Sequence, residues 1–244
     1  MKHRIEQILV AVSYVVVLTF NYLAASGRLN GIDTAAISDR YATQLTPAGY
    51  AFAIWSLIYV GLGAYVVYQA LPSNASRVPV SKTRFPFILS CAANSAWLVC
   101  WHFDLIPLSL LIMFILLAIL AYLSYSVRNV SDAAHMFLLK APFNLYFGWI
   151  TVASIVNAAI TLVYLGVSSS ATWAPAAGAA LIIAAAVIGT VLRFRLAAFW
   201  YPMAIAWGAT GIAVKQSGNT PVVVAAAIAV IVLLFVALWG AVKD

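Results

Sequence analysis

Charged residues are scarce in this chain. Asp, Glu, Lys and Arg make up 8% of its 244 residues, 65% are hydrophobic, and the mean hydropathy is +1.03. A typical soluble domain carries about a quarter of charged residues, so this composition excludes that class and indicates an integral membrane protein. The apolar segments run for about 20 residues and lack the strict alternation of barrel strands. We therefore predict an all-α polytopic membrane helical bundle.

Cysteine and histidine are also few. Cys91 and Cys100 lie nine positions apart in one predicted helix, so they face opposite sides and form neither a disulfide nor a shared metal site. His3 and His135 are predicted on the opposite side of the membrane from His102, which excludes a multi-ligand metal centre. No Walker loop, zinc motif or Ser/His/Asp set is visible, so we expect no metal, no required cofactor and no hydrolytic or ATP-driven enzyme. An axial haem ligand at His102 is one hypothesis left open.

Eight spans are predicted, and the longest polar connection, residues 27–45, follows the first of them. Thr46 and Pro47 are typical of a helix start, so the second span begins there. Pro72 and Pro79 indicate that 71–84 is a polar linker. The predicted spans are 8–25, 46–70, 85–103, 107–126, 134–165, 173–192, 196–214 and 220–241.

The basic residues predict the orientation. Ten of the 13 Lys and Arg residues lie at the N-terminus, in 71–84, 127–140 and 193–195, and at the C-terminus. By the positive-inside rule both termini are cytoplasmic and the 27–45 loop is outside. The charges are scattered at segment ends, so the net charge of +7 does not indicate nucleic-acid binding. Lys140, near the start of the fifth span, is predicted to extend to the membrane surface.

Three predicted helices each carry aromatic side chains on one face, and in the third and fifth spans an Asn lies on the same face. Such a face suits a flat conjugated ring, which stacks on aromatics while an amide meets its polar edge. Ordinary helix packing, including interfacial Trp and Tyr, is the alternative explanation. The candidate ligand-binding residues are Trp55 and Tyr59, then Asn94, Trp97 and Trp101, and then Tyr146, Trp149, Ala153 and Asn157.

Three stretches of the sequence resemble the signature motifs of the TspO/MBR family, the tryptophan-rich sensory or translocator proteins. They are TPAGYAFAIWSLIYVGLGAY at 46–65, NSAWLVCWHFDL at 94–105 and FGWITVASIVNAAI at 147–160. Tyr50 departs from the family's usual Trp. The resemblance covers the first five spans, so we divide the chain into a TspO-like five-helix bundle at 1–166 and an additional three-helix segment at 167–244.

The resemblance implies a ligand class. Members of the family bind tetrapyrroles such as haem and protoporphyrin, and in some cases sterols, in a pocket inside the five-helix bundle that is roofed by the first loop. The candidate residues above would line that pocket, the 27–45 loop would be its lid, and Arg28 and Arg40 could pair with propionates. The expected partners are membrane lipid and a small hydrophobic ligand, with a homodimer left open and no nucleic acid.

Several functions remain open at this stage. The first is binding, sensing or translocating a tetrapyrrole or sterol-like molecule. The second is a permease or transporter subunit for a small hydrophobic solute, although ion-coupled transport is disfavoured because no acidic residue falls in a predicted span interior. The third is a membrane enzyme that degrades porphyrin. We expect the bacterial inner (cell) membrane as the location.

Overall fold

The protein is an all-helical bundle. A computed structural model describes the backbone of residues 2–243 and the side chains of residues 3–239, and no β-strand occurs in this part of the chain. The α-helices are Lys2–Ala25 (α1), Thr34–Arg40 (α2), Ile54–Ala70 (α3), Val78–His102 (α4), Ile106–Ser126 (α5), Ala133–His135 (α6), Ala141–Tyr164 (α7), Ala174–Arg195 (α8), Trp200–Lys215 (α9) and Thr220–Lys243 (α10).

Six helical segments of the described chain are long and apolar enough to cross a membrane: His3–Ala25, Gly49–Ala70, Ile106–Ser126, Ala133–Tyr164, Ala174–Arg195 and Thr220–Trp239. The all-helical membrane class is thus supported. Two other long helices, α4 and α9, fall outside this set. Helix α9 has 16 residues, fewer than the roughly 20 that span a bilayer without help.

Helix α7 lies at the centre of the bundle. In its most apolar stretch 67% of the residues are buried, against 17% in α1. It packs against α3, α5, α8 and α9. Two glycines bring α9 close to it: a Cβ on Gly148 would overlap the carbonyl oxygen of Tyr201, and one on Gly208 would lie 2.8 Å from Cγ1 of Val152. Small residues at such contacts are typical of helix packing in lipid.

Two predicted helix starts are wrong. The stretch 71–84 is not a linker throughout, because α4 begins at Val78. Pro79 lies in the first turn of α4, where the backbone N–H has no partner within the helix, so its absence in proline costs no hydrogen bond. Thr46 does not cap α3: its hydroxyl oxygen accepts from the Thr43 amide at 2.7 Å, a 3₁₀ turn follows at Gly49–Ala53, and α3 begins at Ile54.

Buried cations close the end of the bundle that holds the N-terminus. Arg84 is 1% exposed and joins three helices, donating to Gln69 Oε1 at 3.0 Å, to the Ala75 carbonyl at 2.9 Å and to Glu6 at 3.5 Å. Lys140 does not extend to the surface as predicted. It is 8% exposed, and its ammonium donates to the carbonyl of Arg128 at 2.9 Å.

The fifth predicted span is one continuous helix that contains a π-helical turn near its start. Helix α6 passes through a π-helical turn at Met136–Lys140 into α7. Pro142 is the physical reason, since it has no N–H for the α-helical bond and its ring crowds the carbonyl four residues back. A wider turn just before it relieves that crowding, so Pro142 bends the helix start and does not end it.

Candidate functional site

Asn94 is the polar junction of the bundle. It is fully buried, donates from Nδ2 to the Tyr146 hydroxyl at 2.8 Å, and accepts at Oδ1 from Asn21 Nδ2 at 2.9 Å and from the Tyr59 hydroxyl at 3.4 Å. These partners lie on α1, α3 and α7, so one amide ties four helices together. A buried amide requires such partners, because leaving it unpaired in an apolar interior carries a large penalty.

An aromatic wall surrounds Trp55. Its ring stacks on Tyr59 with centroids 5.5 Å apart and an angle of 14° between the planes. It also meets Tyr146 edge-on at 5.6 Å and Trp149 edge-on at 6.3 Å. Trp55 itself is only half-buried, so one part of this wall faces the outside of the bundle.

A small void lies behind Trp55. Trp97 stacks on Trp101 at 5.6 Å and donates from its indole nitrogen to Asn157 Oδ1 at 3.3 Å. The void measures about 30 Å³, enough for one or two water molecules but not for a ring system. The lining residues are Ser38, Pro47, Phe52, Trp55, Trp97, Trp101, Trp149, Val152, Ala153, Val156 and Asn157.

Two polar atoms of residues that line this void have no hydrogen-bond partner in the structure. They are the hydroxyl oxygen of Ser38, on α2, and the indole nitrogen Nε1 of Trp149, on α7. Their residues are 2% and 3% exposed. An indole N–H can only donate, so whatever meets Trp149 there must present an acceptor, such as a water oxygen or a carbonyl.

A much larger cleft lies on the other side of Trp55. Its volume is about 470 Å³, within the range of roughly 300–1,000 Å³ that is typical of small-molecule sites. Tyr22 and Ser56 are exposed, so the cleft opens to the outside of the bundle. The lining residues come from α1 to α4 and the 3₁₀ turn: Leu18, Asn21, Tyr22, Ala25, Asp33, Thr34, Ala35, Phe52, Ala53, Trp55, Ser56, Tyr59 and Leu98.

Phe52 and Trp55 border both compartments. Phe52 packs edge-on against Trp149 with centroids 6.1 Å apart, so these three rings form one continuous layer between the cleft and the void. The layer consists of side chains alone.

The 27–45 loop covers the cleft and contains helix α2. Asp33 caps this helix by accepting from the amides of Ala35 and Ala36, each at 2.9 Å. The Tyr41 hydroxyl donates to the two carboxylate oxygens of Asp104 at 2.8 and 2.9 Å. Partial burial raises the pKa of the Tyr41 hydroxyl, and its hydrogen bond with Asp104 raises it further.

His102 fastens the other side of the loop. Its Nε2 lies 3.1 Å from the Thr34 hydroxyl and its Nδ1 lies 2.9 Å from Asn30 Oδ1, while the Asn30 amide nitrogen donates to the His102 carbonyl. Both ring nitrogens are engaged with the lid, and His102 is not part of the cleft lining. This arrangement makes the histidine a lid anchor and offers no free nitrogen to an iron atom.

The two lid arginines lie in different places. Arg28 is exposed and donates to the Tyr22 hydroxyl at 2.9 Å, with its guanidinium 5.5 Å from the centre of that ring. Since Tyr22 lines the cleft, Arg28 is at its mouth. Arg40 is exposed at the end of α2 and does not contribute to the lining of either compartment.

The structure brings all nine candidate residues into one aromatic region but divides them. Trp55 and Tyr59 line the cleft, whereas Trp97, Trp101, Trp149, Ala153 and Asn157 border the void. Asn94 and Tyr146 lie between them as supports. The sequence analysis missed the contribution of α1 to the cleft lining. Asn21 was the available signal, because an amide in an apolar run must find a partner inside the bundle.

Other chemistry is not visible. No group of three or more His, Cys, Asp and Glu residues that could hold a metal ion occurs among the described residues. Cys91 and Cys100 are both buried and free, in agreement with the sequence analysis.

These observations define a class: an all-helical integral membrane protein with a ligand-sized aromatic cleft beneath a lid. A family model described as "TSPO-like protein" matches residues 7–239, and the chain belongs to this family. The match confirms the resemblance and extends it through α8, α9 and most of α10, beyond the five spans that carried the motifs. No curated protein and no solved structure matched the chain.

Proposed function

We propose that this protein binds a flat hydrophobic ligand, a tetrapyrrole or a sterol-like molecule, in the cleft beneath the 27–45 lid, and that it senses or translocates this ligand. The observation that carries the proposal is the cleft of about 470 Å³ with the stacked Trp55 and Tyr59 rings in its wall. Aromatic faces hold a flat ring by stacking, and a few polar groups orient it.

The polar groups of the cleft are suitably placed for that orientation. Asn21, Asp33 and Thr34 lie in the lining, and the Arg28 guanidinium lies at the mouth beside Tyr22. A porphyrin would rest its ring on the Trp55 and Tyr59 wall and extend its propionates toward the mouth, where Arg28 can pair with them. A sterol-like ligand would use the same wall and place its hydroxyl at Asn21 or Thr34.

We further propose eight spans with both termini cytoplasmic. The hydrogen bonds between connections support this arrangement. Residues 41–46 meet Asp104, Ser169 and Gln216 at one end of the bundle. Gln7, Gln69 and Arg84 meet at the other end. Each long helix thus runs from one end to the other, and α4 and α9 would cross within the shelter of their neighbours. The basic end would face the cytoplasm of a bacterial inner membrane.

The test uses detergent-purified protein titrated with protoporphyrin IX, with Trp fluorescence quenching as the signal. Ser56→Phe adds bulk to an exposed position of the cleft lining and removes no contact, so it should weaken binding at least tenfold. Trp55→Leu should weaken it about as much through lost stacking. Trp173→Phe removes an exposed indole outside both compartments and is the matched control. Unchanged affinity in both cleft variants would contradict the proposal.

A further inference from the structure

The lid continues into a segment that the C-terminal helices hold. Residues 39–51 lead from the end of α2 to the start of α3, and we call them the hinge segment. Thr43 and Thr46 within it are 8% and 1% exposed although neither residue belongs to a helix. Buried backbone carbonyls outside regular structure need partners, and here those partners lie far along the chain.

Gln216 supplies two of the bonds. This residue follows α9 directly, and its side-chain amide nitrogen donates to the carbonyl of Thr43 at 3.0 Å and to that of Thr46 at 3.2 Å. One side-chain amide group therefore meets two carbonyls of the hinge segment, and the Thr43 carbonyl also accepts from the Thr46 amide at 3.3 Å. This makes Gln216 the central contact between α9 and the hinge segment.

Two neighbours of Gln216 along the chain, Asn219 and Lys215, extend this contact. Asn219 donates from Nδ2 to Gln44 Oε1, and the Gln44 amide nitrogen donates in turn to the carbonyl of Ser169 at 2.8 Å. Lys215 forms an ion pair with Asp39 at 2.9 Å at the end of the lid helix. The loop that precedes α8 and the loop between α9 and α10 are thus both engaged with this one segment.

The backbone of α9 completes the contact. The Ala48 amide donates to the carbonyl of Gly211 at 2.9 Å, and the indole nitrogen of Trp207 donates to the carbonyl of Ala51 at 2.9 Å. A Cβ on Gly211 would lie 2.7 Å from Cβ of Ala51, so only glycine lets the hinge lie this close to α9.

From this geometry we infer that the C-terminal helices are a clamp on the lid hinge, with Gln216 and Asn219 as its positioning residues. The clamp holds the lid over the cleft and sets the rate at which the cleft opens. This inference rests on the proposed function for its purpose, but the clamping itself can be measured without any ligand. The clamp gives a role to α8, α9 and α10, which lie outside the five spans that carry the family motifs.

The test measures cleft opening by thiol labelling. Leu98 lies in the buried part of the cleft lining and is 1% exposed, so Leu98→Cys in a Cys91→Ser, Cys100→Ser background reacts with a maleimide only when the lid moves and exposes this position. Gln216→Glu keeps the size of the side chain and loses the donor. Asn219→Asp loses the donor to Gln44 but keeps the oxygen that accepts from the Val222 amide at 3.4 Å. The double variant should raise the labelling rate at least fivefold.

Ser217→Asp adds a carboxylate to the same turn at an exposed position and is the matched control, with an unchanged rate expected. A second pair of variants tests the clamp if Gln216→Glu fails to fold. Lys215→Glu should speed labelling, and Asp39→Lys in the same chain should restore the original rate by reversing the ion pair. A purely structural weakening would not be rescued by this exchange. Unchanged labelling in the double variant, or no rescue in the charge exchange, would overturn the clamp.

The two proposals fail separately. If wild-type protein does not quench with protoporphyrin IX while the labelling rates change as expected, the proposed ligand class is wrong and the clamp stands. If the porphyrin binds with the same dissociation rate and the same labelling rate in all variants, the clamp is wrong and the cleft remains a binding site.

Discussion

The cleft and the void are separated by one layer of rings, yet they differ in every property that matters for binding. The cleft measures about 470 Å³, is open and is bordered by polar groups of α1 and α2. The void measures about 30 Å³, is lined largely by indoles and includes two residues with unpartnered polar atoms. The cleft thus has the volume of a small-molecule site, whereas the void has room for water alone.

The comparison shows which side chains hold the wall between the two spaces and which can move. Asn94 and its three partners fix the wall between the two spaces, while Trp55 and Phe52 form the part that can move. A ligand in the cleft alone would leave the void unchanged. A ligand that displaced Trp55 would also contact the stacked rings of Trp97 and Trp101, and it could accept a hydrogen bond from Trp149 Nε1. The following variants separate these cases.

Asn94→Leu should have the largest effect on stability. It leaves the Tyr146 hydroxyl, the Asn21 amide and the Tyr59 hydroxyl without their common partner, at a cost of about 3 kcal/mol in the free energy of unfolding. Denaturant unfolding in detergent measures it. Ser95→Ala is the matched control, since its buried hydroxyl has no partner and its removal should cost under about 0.5 kcal/mol. Equal losses for the two variants would show that Asn94 is not the junction.

Trp55→Ala should merge the two compartments. It removes the contacts with Tyr59, Tyr146 and Trp149, which we expect to cost about 2 kcal/mol because the ring is only half-buried. The thiol of Leu98→Cys, which lines the cleft, would label at a similar rate, but a cysteine at Ala153, which lines the void, would become reactive. An Ala153→Cys thiol that stays inert in the Trp55→Ala chain would show that the layer does not depend on Trp55.

Trp149→Phe and Ser38→Ala test what occupies the void. The volume and the two unpartnered atoms fit one water that accepts from Trp149 Nε1 and bonds the Ser38 hydroxyl. Each variant should then cost about 1 kcal/mol, and the pair should cost less than the sum, because the same water is lost in both. Strictly additive costs would indicate that no shared water joins α2 to α7.

The sequence predicted the helices well where the apolar period was uninterrupted. All eight predicted spans correspond in position to long helices, but the starts of α3 and α4 were wrong because Pro47 and Pro79 mark different structures. Pro47 precedes a 3₁₀ turn and Pro79 lies inside a first turn. Proline fixes its own φ angle, which suits both the residue before a helix and the first turn of a helix, so its presence alone does not locate the helix start.

The site was predictable only on the faces that carry aromatic residues. Trp55, Trp97 and Trp149 converge as their helical spacing indicated, because stripes on packed helices must face the interior. The division of that interior by Phe52 and Trp55 depends on side-chain rotamers, which no spacing encodes. The burial of Arg84 and Lys140 was missed for a similar reason. Several of their partners, such as the carbonyls of Ala75 and Arg128, come into reach only when the connections between the helices fold.

Tyr41→Phe should loosen the lid by a smaller amount, about 0.5–1 kcal/mol, because its bond to Asp104 is near the surface. The labelling rate of Leu98→Cys measures the loosening. The folded state raises the pKa of Tyr41 above its ordinary value of 10.0, so it favours the neutral hydroxyl. The stabilisation is therefore complete below pH 10 and is lost as the pH rises through the raised pKa. A labelling rate for Tyr41→Phe that matches the wild type below pH 10, where the hydroxyl is neutral, would contradict this role of Tyr41.

Arg28→Gln and Arg40→Gln should give the smallest effects and sharpen the position of the ligand. Arg28 lies at the cleft mouth beside Tyr22. Its replacement should weaken the binding of protoporphyrin IX only about threefold, because its contact with a propionate is screened by solvent. Arg40 is exposed and borders neither compartment, so Arg40→Gln should change the affinity by less than about 1.5-fold. Porphyrin dimethyl ester, which has no propionate charge, should bind all three proteins alike. A larger loss of affinity for Arg40→Gln than for Arg28→Gln would show that the propionates lie near the end of α2. The porphyrin ring would then lie outside the cleft.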